Sequence, residues 1–232
     1  MQIKMGQSPA KPNAIVEDTI EKIRCNDDSL GNHAYIIHKN LGDQGARLVS
    51  EALEHNNTVQ VIWLDRNNIG DEGAIALSEA LKQNSTLQEI MLQENNIGAE
   101  GAIALSKALA RNHTLKGIDL SHNNMSKDGA IALSEALRQN DTLEWMLLGG
   151  NNIGDEGAIA FSGVLSRNST LKTVGLGANK IGKDGMCALL NAIEGWNRTL
   201  TILFRDGNPR FEGGDEINRQ LHKLLVRNEV IH

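Results

Sequence analysis

Apolar and polar positions fall into a short alternating stretch, a polar turn and a helical stretch, and the series then begins again. In one such unit Leu87, Ile90 and Leu92 keep an L-x-x-I-x-L spacing. Ile90 and Leu92 alternate with Glu89, Met91 and Gln93 as the buried side of a short strand does. Asn95, Asn96, Ile97 and Gly98 follow as a turn. From Gly101 to Ala110 the residues favour helix, with Ala102, Leu105 and Leu109 along one face. Asn112 and Thr114 then lead to the next strand.

The interval is 28 residues. Gly45, Gly73, Gly101, Gly129, Gly157 and Gly185 keep it, as do Leu53, Leu81, Leu109, Leu137, Leu165 and Ile193. Thr58, Thr86, Thr114, Thr142 and Thr170 take the same step, and Thr199 comes one residue late. An extra residue therefore enters after Ile193, near Gly195 and Trp196. A strand followed by a helix, repeated, predicts parallel strands side by side with helices stacked behind them. The helix layer is the thicker one, so the array curves with its strands inside.

These features resemble the leucine-rich-repeat family, in its ribonuclease-inhibitor-like subfamily. The resemblance rests on the period, the L-x-x-I-x-L-x-x-N-x-I core and the Gly-Ala-Ile-Ala-Leu helix opening, and it spans residues 28–208. It implies an α/β solenoid, a horseshoe with parallel strands on the concave face and helices on the convex face. It also implies a non-enzymatic module that binds a partner protein on the concave sheet. The remaining parts are expected to be a flexible tail over 1–13 with Pro9 and Pro12, a capping helix over 14–27, and a C-terminal capping helix over 209–232. Ile15, Ile20 and Ile23 form the apolar face of the first helix; Ile217, Leu221, Leu224 and Leu225 form that of the last. Arg205 stands where earlier repeats place an inward Leu, which makes the last strand irregular.

Two alternative functions come with the resemblance. The segment from Glu17 to Leu30 is similar to the lead-in of the tropomodulin repeat domain, implying capping or regulation of actin filaments, although the long N-terminal actin- and tropomyosin-binding region of tropomodulins has no counterpart in this sequence. GTPase-activating proteins for Ran share the repeat type, but they carry an acidic C-terminal tail where this sequence has a mixed-charge helix reaching Arg227. A plain scaffold without a partner is a further reading, which the divergent strand residues oppose.

Composition narrows the field. Of 232 residues 40% are hydrophobic, enough for a packed core, and 23 Lys and Arg against 29 Asp and Glu leave a net charge of −6. That balance argues against nucleic acid as the main partner. No apolar run approaches the ~20 residues of a membrane helix, and the first residues lack a secretory apolar core. Two distant cysteines, Cys25 and Cys187, fit a reducing compartment, so a cytoplasmic monomer is expected. Seven histidines lack metal-ligand spacing, and no nucleophile signature occurs; no enzyme activity, cofactor or metal is expected. Gly177 to Lys183 spells GxxxxGK, yet Asp184 replaces the Ser or Thr a phosphate loop needs. The Asn column at 67, 95, 123, 151, 179 and 208 reads as scaffold that satisfies turn backbone. The N-x-S/T sequons at Asn56, Asn84, Asn112, Asn140, Asn168 and Asn197 fall out of the repeat, and the Ile column at 75, 103, 131 and 159 is expected to pack between helices.

Function should lie where the repeats disagree. Strand residues flanking the buried ones point to the concave side, in three columns. The first runs through His33, Val61, Glu89, Gly117, Trp145, Thr173 and Ile202. The second holds Tyr35, Trp63, Met91, Asp119, Leu147, Gly175 and Phe204; the third, Ile37, Asp65, Gln93, Ser121, Gly149, Gly177 and Asp206. Four of the seven aromatic residues fall in these columns, which hold about a tenth of the chain. Exposed aromatics dominate interface energies at ~2 kcal/mol or more each. The candidate protein-binding residues are Tyr35, Trp63, Asp65, Arg66, Glu89, Met91, Asp119, Trp145, Leu147 and Phe204. Asp65, Glu89, Glu94 and Asp119 make one half acidic, whereas Gly149, Gly150, Gly175, Gly177 and Ala178 leave the other nearly bare. The expected partner is a protein that brings a basic element to the first half and an apolar one toward Trp145.

Overall fold

The computed structural model describes residues 14–195, 199–200, 202–204, 207–210 and 213–231, with backbone alone at 195, 202–204 and 225–231. The expectations for the tail over 1–13, and those for Trp196, Asn197, Arg205, Asp206 and the Leu225 side chain, lie outside the described residues. So does the Phe204 side chain.

The alternating stretches form seven three-residue strands among the described residues: β1 His33–Tyr35, β2 Val61–Trp63, β3 Glu89–Met91, β4 Gly117–Asp119, β5 Trp145–Leu147, β6 Thr173–Gly175 and β7 Ile202–Phe204. The helical stretches form α2 Gly42–Leu53, α3 Asp71–Gln83, α4 Ala99–Leu109, α5 Ser126–Ala136, α6 Gly154–Leu165 and α7 Lys183–Gly195. Helix α1, Ala14–Arg24, precedes them and α8, Gly214–Ile231, follows. All strands are parallel in the order β1 to β7, and the fold is an α/β leucine-rich-repeat solenoid with strands inside and helices outside. Partners across β1–β2, such as Tyr35 and Trp63, are 28 residues apart; across β6–β7, Thr173 faces Ile202, so the extra residue falls between these strands.

One apolar core runs the length of the array. Strands β1 to β6 turn their middle residues toward the helices, and Ala34, Ile62, Ile90, Ile118, Met146 and Val174 are all fully buried. Small residues let successive helices approach closely: a Cβ on Gly73 would meet Ile69 Cγ2 at 2.7 Å and Ala46 Cβ at 3.0 Å. On α1 the buried side chains are Val16, Ile20 and Ile23, while Ile15 is exposed, so Val16 takes the place expected for Ile15. The Ile column departs from expectation as well: Ile75 and Ile103 are half-buried, but Ile131 and Ile159 stand exposed on the convex side. Among the described residues no helix is long and apolar enough to cross a membrane.

Coils are tied by side chains that replace missing backbone partners. Asn95 Oδ1 accepts from the N–H groups of Asn67 and Ile69 in the preceding coil, both at 3.0 Å, and its amide donates to Leu64 O and Leu92 O. This satisfies turn groups that no water reaches. A second ladder uses the sequon asparagines. Asn84 donates to Leu53 O and Asn56 O of the preceding coil and accepts from Thr86 N–H and Leu87 N–H. The sequence reads these asparagines as sequons that fall out of the repeat; the structure makes them helix-end brackets.

A third tie caps helix N-termini from the neighbouring coil. Asp43 Oδ1 accepts from Gly70 N–H at 2.6 Å and Gly73 N–H at 2.9 Å, serving the N-terminus of α3 whose own N-cap glycine has no side chain. Asp71 does this for α4 and Asp155 for α7. The GxxxxGK segment therefore leads into a helix whose N–H groups at Gly182 and Gly185 are already bonded to Asp155. Ala99 and Lys127 replace the capping Asp ahead of α5 and α6. There Ser126 and Gly154 turn to φ +59° and +66°, and their N–H groups go to Asn151 O and Asn179 O instead.

Candidate functional site

At the N-terminal end of the concave sheet, parallel register puts His33 and Tyr35 beside Val61 and Trp63. Tyr35 stacks on Trp63 with ring centroids 4.4 Å apart and planes at 12°; the His33 ring meets Trp63 edge-on at 5.4 Å. Aromatic pairs in such geometry gain about 0.5–1.5 kcal/mol beyond area burial. Tyr35 is nonetheless 57% exposed. His33 is the residue that sequence reasoning left outside the candidate set: its column was visible, its ring contacts were not.

Next to these rings lie the acidic residues. Glu89 and Met91 are half-buried on β3, but Asp65 and Asp119 are only 3% and 8% exposed. The sequence counts both among the contact residues; the structure leaves little of either exposed. Asp119 Oδ1 accepts from Ser121 N–H at 2.8 Å. Asp65 Oδ1 has no hydrogen-bond partner. Burial pushes the Asp65 carboxyl above the usual Asp range and the Asp119 charge adds to this; the backbone N–H groups of Asp65 and Gln93, and Arg66, oppose the rise. Arg66, in a left-handed turn at φ +57°, pairs with Glu94 at 2.6 Å, and this contact holds the Glu94 carboxyl below its ordinary range.

The C-terminal half is less bare than its glycines suggest. The Trp145 ring lies across β4, where a Cβ on Gly117 would fall 1.8 Å from Trp145 Cε2. Leu147 leans over β6 in the same way, 2.9 Å from where a Gly175 Cβ would stand. These glycines make room for large neighbours on their own sheet. What stays open is a shallow recess of about 320 Å³ floored by Gly149, Gly150 and Gly177 and walled by Ser121, His122 and Leu147. The structure thus brings Tyr35, Trp63, Asp65, Glu89, Met91 and Asp119 onto β1–β4, sets Arg66 at their margin, and holds Trp145 and Leu147 apart on β5. Among the described residues no group of three or more His, Cys, Asp or Glu is placed to hold a metal ion. The face offers rings, carboxylates and an apolar notch, which is recognition chemistry.

The model of the TMOD/LMOD Leucine-rich domain matches residues 13–130, and a Leucine Rich repeat model matches 148–162. Comparison with curated proteins finds no match. Among solved structures, actin-binding site 2 of leiomodin-1 is 19% identical, covering 94% of this chain and 91% of that one, at a TM-score of 0.46. The tropomodulin C-terminal domain of Caenorhabditis elegans is 16% identical, covering 92% and 93%, at 0.44.

Proposed function

The chain belongs to the TMOD/LMOD leucine-rich domain family, and from this premise we propose that it is a non-enzymatic recognition module that takes a protein partner on its concave sheet. The observation that carries the reading is the His33–Tyr35–Trp63 cluster. Three rings are pre-assembled on rigid strands, yet the outer one is largely exposed. Ordering them costs little on binding, because they are already held. Trp145 and Leu147 supply a second apolar contact, and the acidic residues of β2–β4 favour a basic element in the partner. The family makes actin the first partner to test. Within it, the 28-residue interval favours a ribonuclease-inhibitor-like repeat, and free Cys25 and Cys187 favour a cytoplasmic monomer.

The test is cosedimentation with filamentous actin, together with polymerisation kinetics, for the wild type and for Trp63→Ala/Trp145→Ala. The wild type should bind, and the double variant should lose at least about tenfold in affinity while keeping its circular dichroism. Unchanged binding by the variant would remove the concave face from the reading. No wild-type effect on actin at stoichiometric protein would remove actin.

A further inference from the structure

Across β2, β3 and β4 the concave sheet carries three carboxylates, of which Glu89 is half-buried and Asp65 and Asp119 are buried, and among the described residues no ion pair answers the two aspartates. Asp65 and Asp119 sit two strands apart and two residues out of register, about 12 Å between backbone positions, and Asp65 Oδ1 is buried without a partner. A buried acceptor left unpaired is costly, and every other cross-coil acceptor described above is bonded. The nearest positive side chain, Arg66, is held by Glu94 at 2.6 Å. Between the two acids β3 supplies Met91 and Gln93, unbranched side chains that are half-buried and can give way. Trp63 stands beside this gap in register with Met91.

We infer that the concave sheet is a seat for an arginine side chain of the partner, with its guanidinium shared between Asp65 and Asp119 and stacked against Trp63. A guanidinium has five donors in a planar fork, so it can serve two carboxylates at once, and its flat face suits an indole. An ammonium is a point charge and cannot span the pair while stacking. The inference rests on the concave face being the recognition surface, and it adds the chemistry that surface selects.

The probe is a capped glycine pentapeptide with one central arginine, titrated against the protein by following backbone amide shifts of β2–β4. Peptides with lysine or neutral citrulline at the centre serve as comparisons. Variants are Asp65→Asn and Asp119→Asn, with Glu51→Gln, an exposed acid on α2, as the charge control. The arginine peptide should bind the wild type and Glu51→Gln alike, lose at least about tenfold with either Asp variant, and outbind lysine and citrulline. Equal binding by the Asp variants, or by citrulline, overturns the seat; equal binding by lysine overturns the shared fork. An arginine preference that survives while actin fails to cosediment would discard actin and keep the seat. Loss of partner binding in the Trp63/Trp145 variant, with peptide binding indifferent to Asp65, would do the reverse.

Discussion

Asp65→Asn should make the protein more stable at neutral pH. The Asp65 side chain is 3% exposed, and one carboxylate oxygen lacks a partner. Leaving a buried polar group unsatisfied costs about 1–3 kcal/mol, and a charge worsens it. The amide keeps the shape and removes the charge. For a chain of this length, each kcal/mol moves the melting temperature by about 2–4 °C, so a rise of roughly 2–12 °C is expected at pH 7. The pH dependence identifies the cause. Burial raises the Asp65 pKa on folding, so between the unfolded value, near 4, and the higher folded value, the native state holds more protons than the unfolded one. Wild-type stability therefore falls, through this group, as pH rises across that window. The penalty is complete above it and absent below it. The advantage of Asp65→Asn should be full at pH 7 and vanish toward pH 4, read by thermal or urea unfolding at both. A variant less stable than wild type at pH 7, or an advantage that does not shrink on acidification, would refute the burial argument.

Gly117→Ala puts a methyl 1.8 Å from Trp145 Cε2, so the ring must leave its place over β4. A loss of about 1–3 kcal/mol in urea unfolding should accompany a red-shifted emission component that disappears in a Trp145→Phe background; an unshifted spectrum would show that the ring does not lie there. Ala99→Asp combined with Ser126→Gly restores the intercoil cap ahead of α5 and should add about 0.5–2 kcal/mol of stability. Ala99→Asp alone should gain less, because Ser126 holds the left-handed turn at φ +59°; equal gains would refute the link between cap and turn.

The fold was legible because the period is a packing constraint. Gly73 and its equivalents sit where any Cβ meets the previous coil, and Asn95 sits where backbone donors have no other acceptor. Such positions tolerate little change, so they print the architecture into the sequence. The sequon asparagines were legible as a product of the repeat, but their task at the helix ends was not. The bond from Asn84 to Leu53 O, across 31 residues, shows that task. The concave columns followed from strand alternation, but how deep each side chain sits did not. Asp65 and Asp119 are buried in a sheet whose neighbouring strands lie 28 residues away in sequence, so no local pattern fixes their depth. A glycine misled in the same way: Gly175 reads as open ground until Leu147 is seen to lie across it.

These observations separate what the array needs from what it carries. Helices and turns repeat the same residues because each must lock to an identical neighbour. The strand face repeats almost nothing, and several of its choices oppose stability: an unpaired buried carboxylate at 65, a tyrosine ring in water at 35. A sheet that only joined helices would fill those places with aliphatic or small polar side chains. Trp145 on β5 lies across β4, and the helices that follow these two strands, α6 and α5, are the ones whose capping Asp is replaced, by Lys127 and Ala99. The acidic, aromatic half of the face is therefore tied to the glycine-floored half without the paired bonds that Asp43, Asp71 and Asp155 make elsewhere. Apolar packing must hold that joint, above all Trp145 across Gly117 on the inner side and Ala102 against Gly129 on the outer. Trp145 then has two duties, as a contact for the partner and as the rivet between the halves. A partner that engages both halves would load this side chain first.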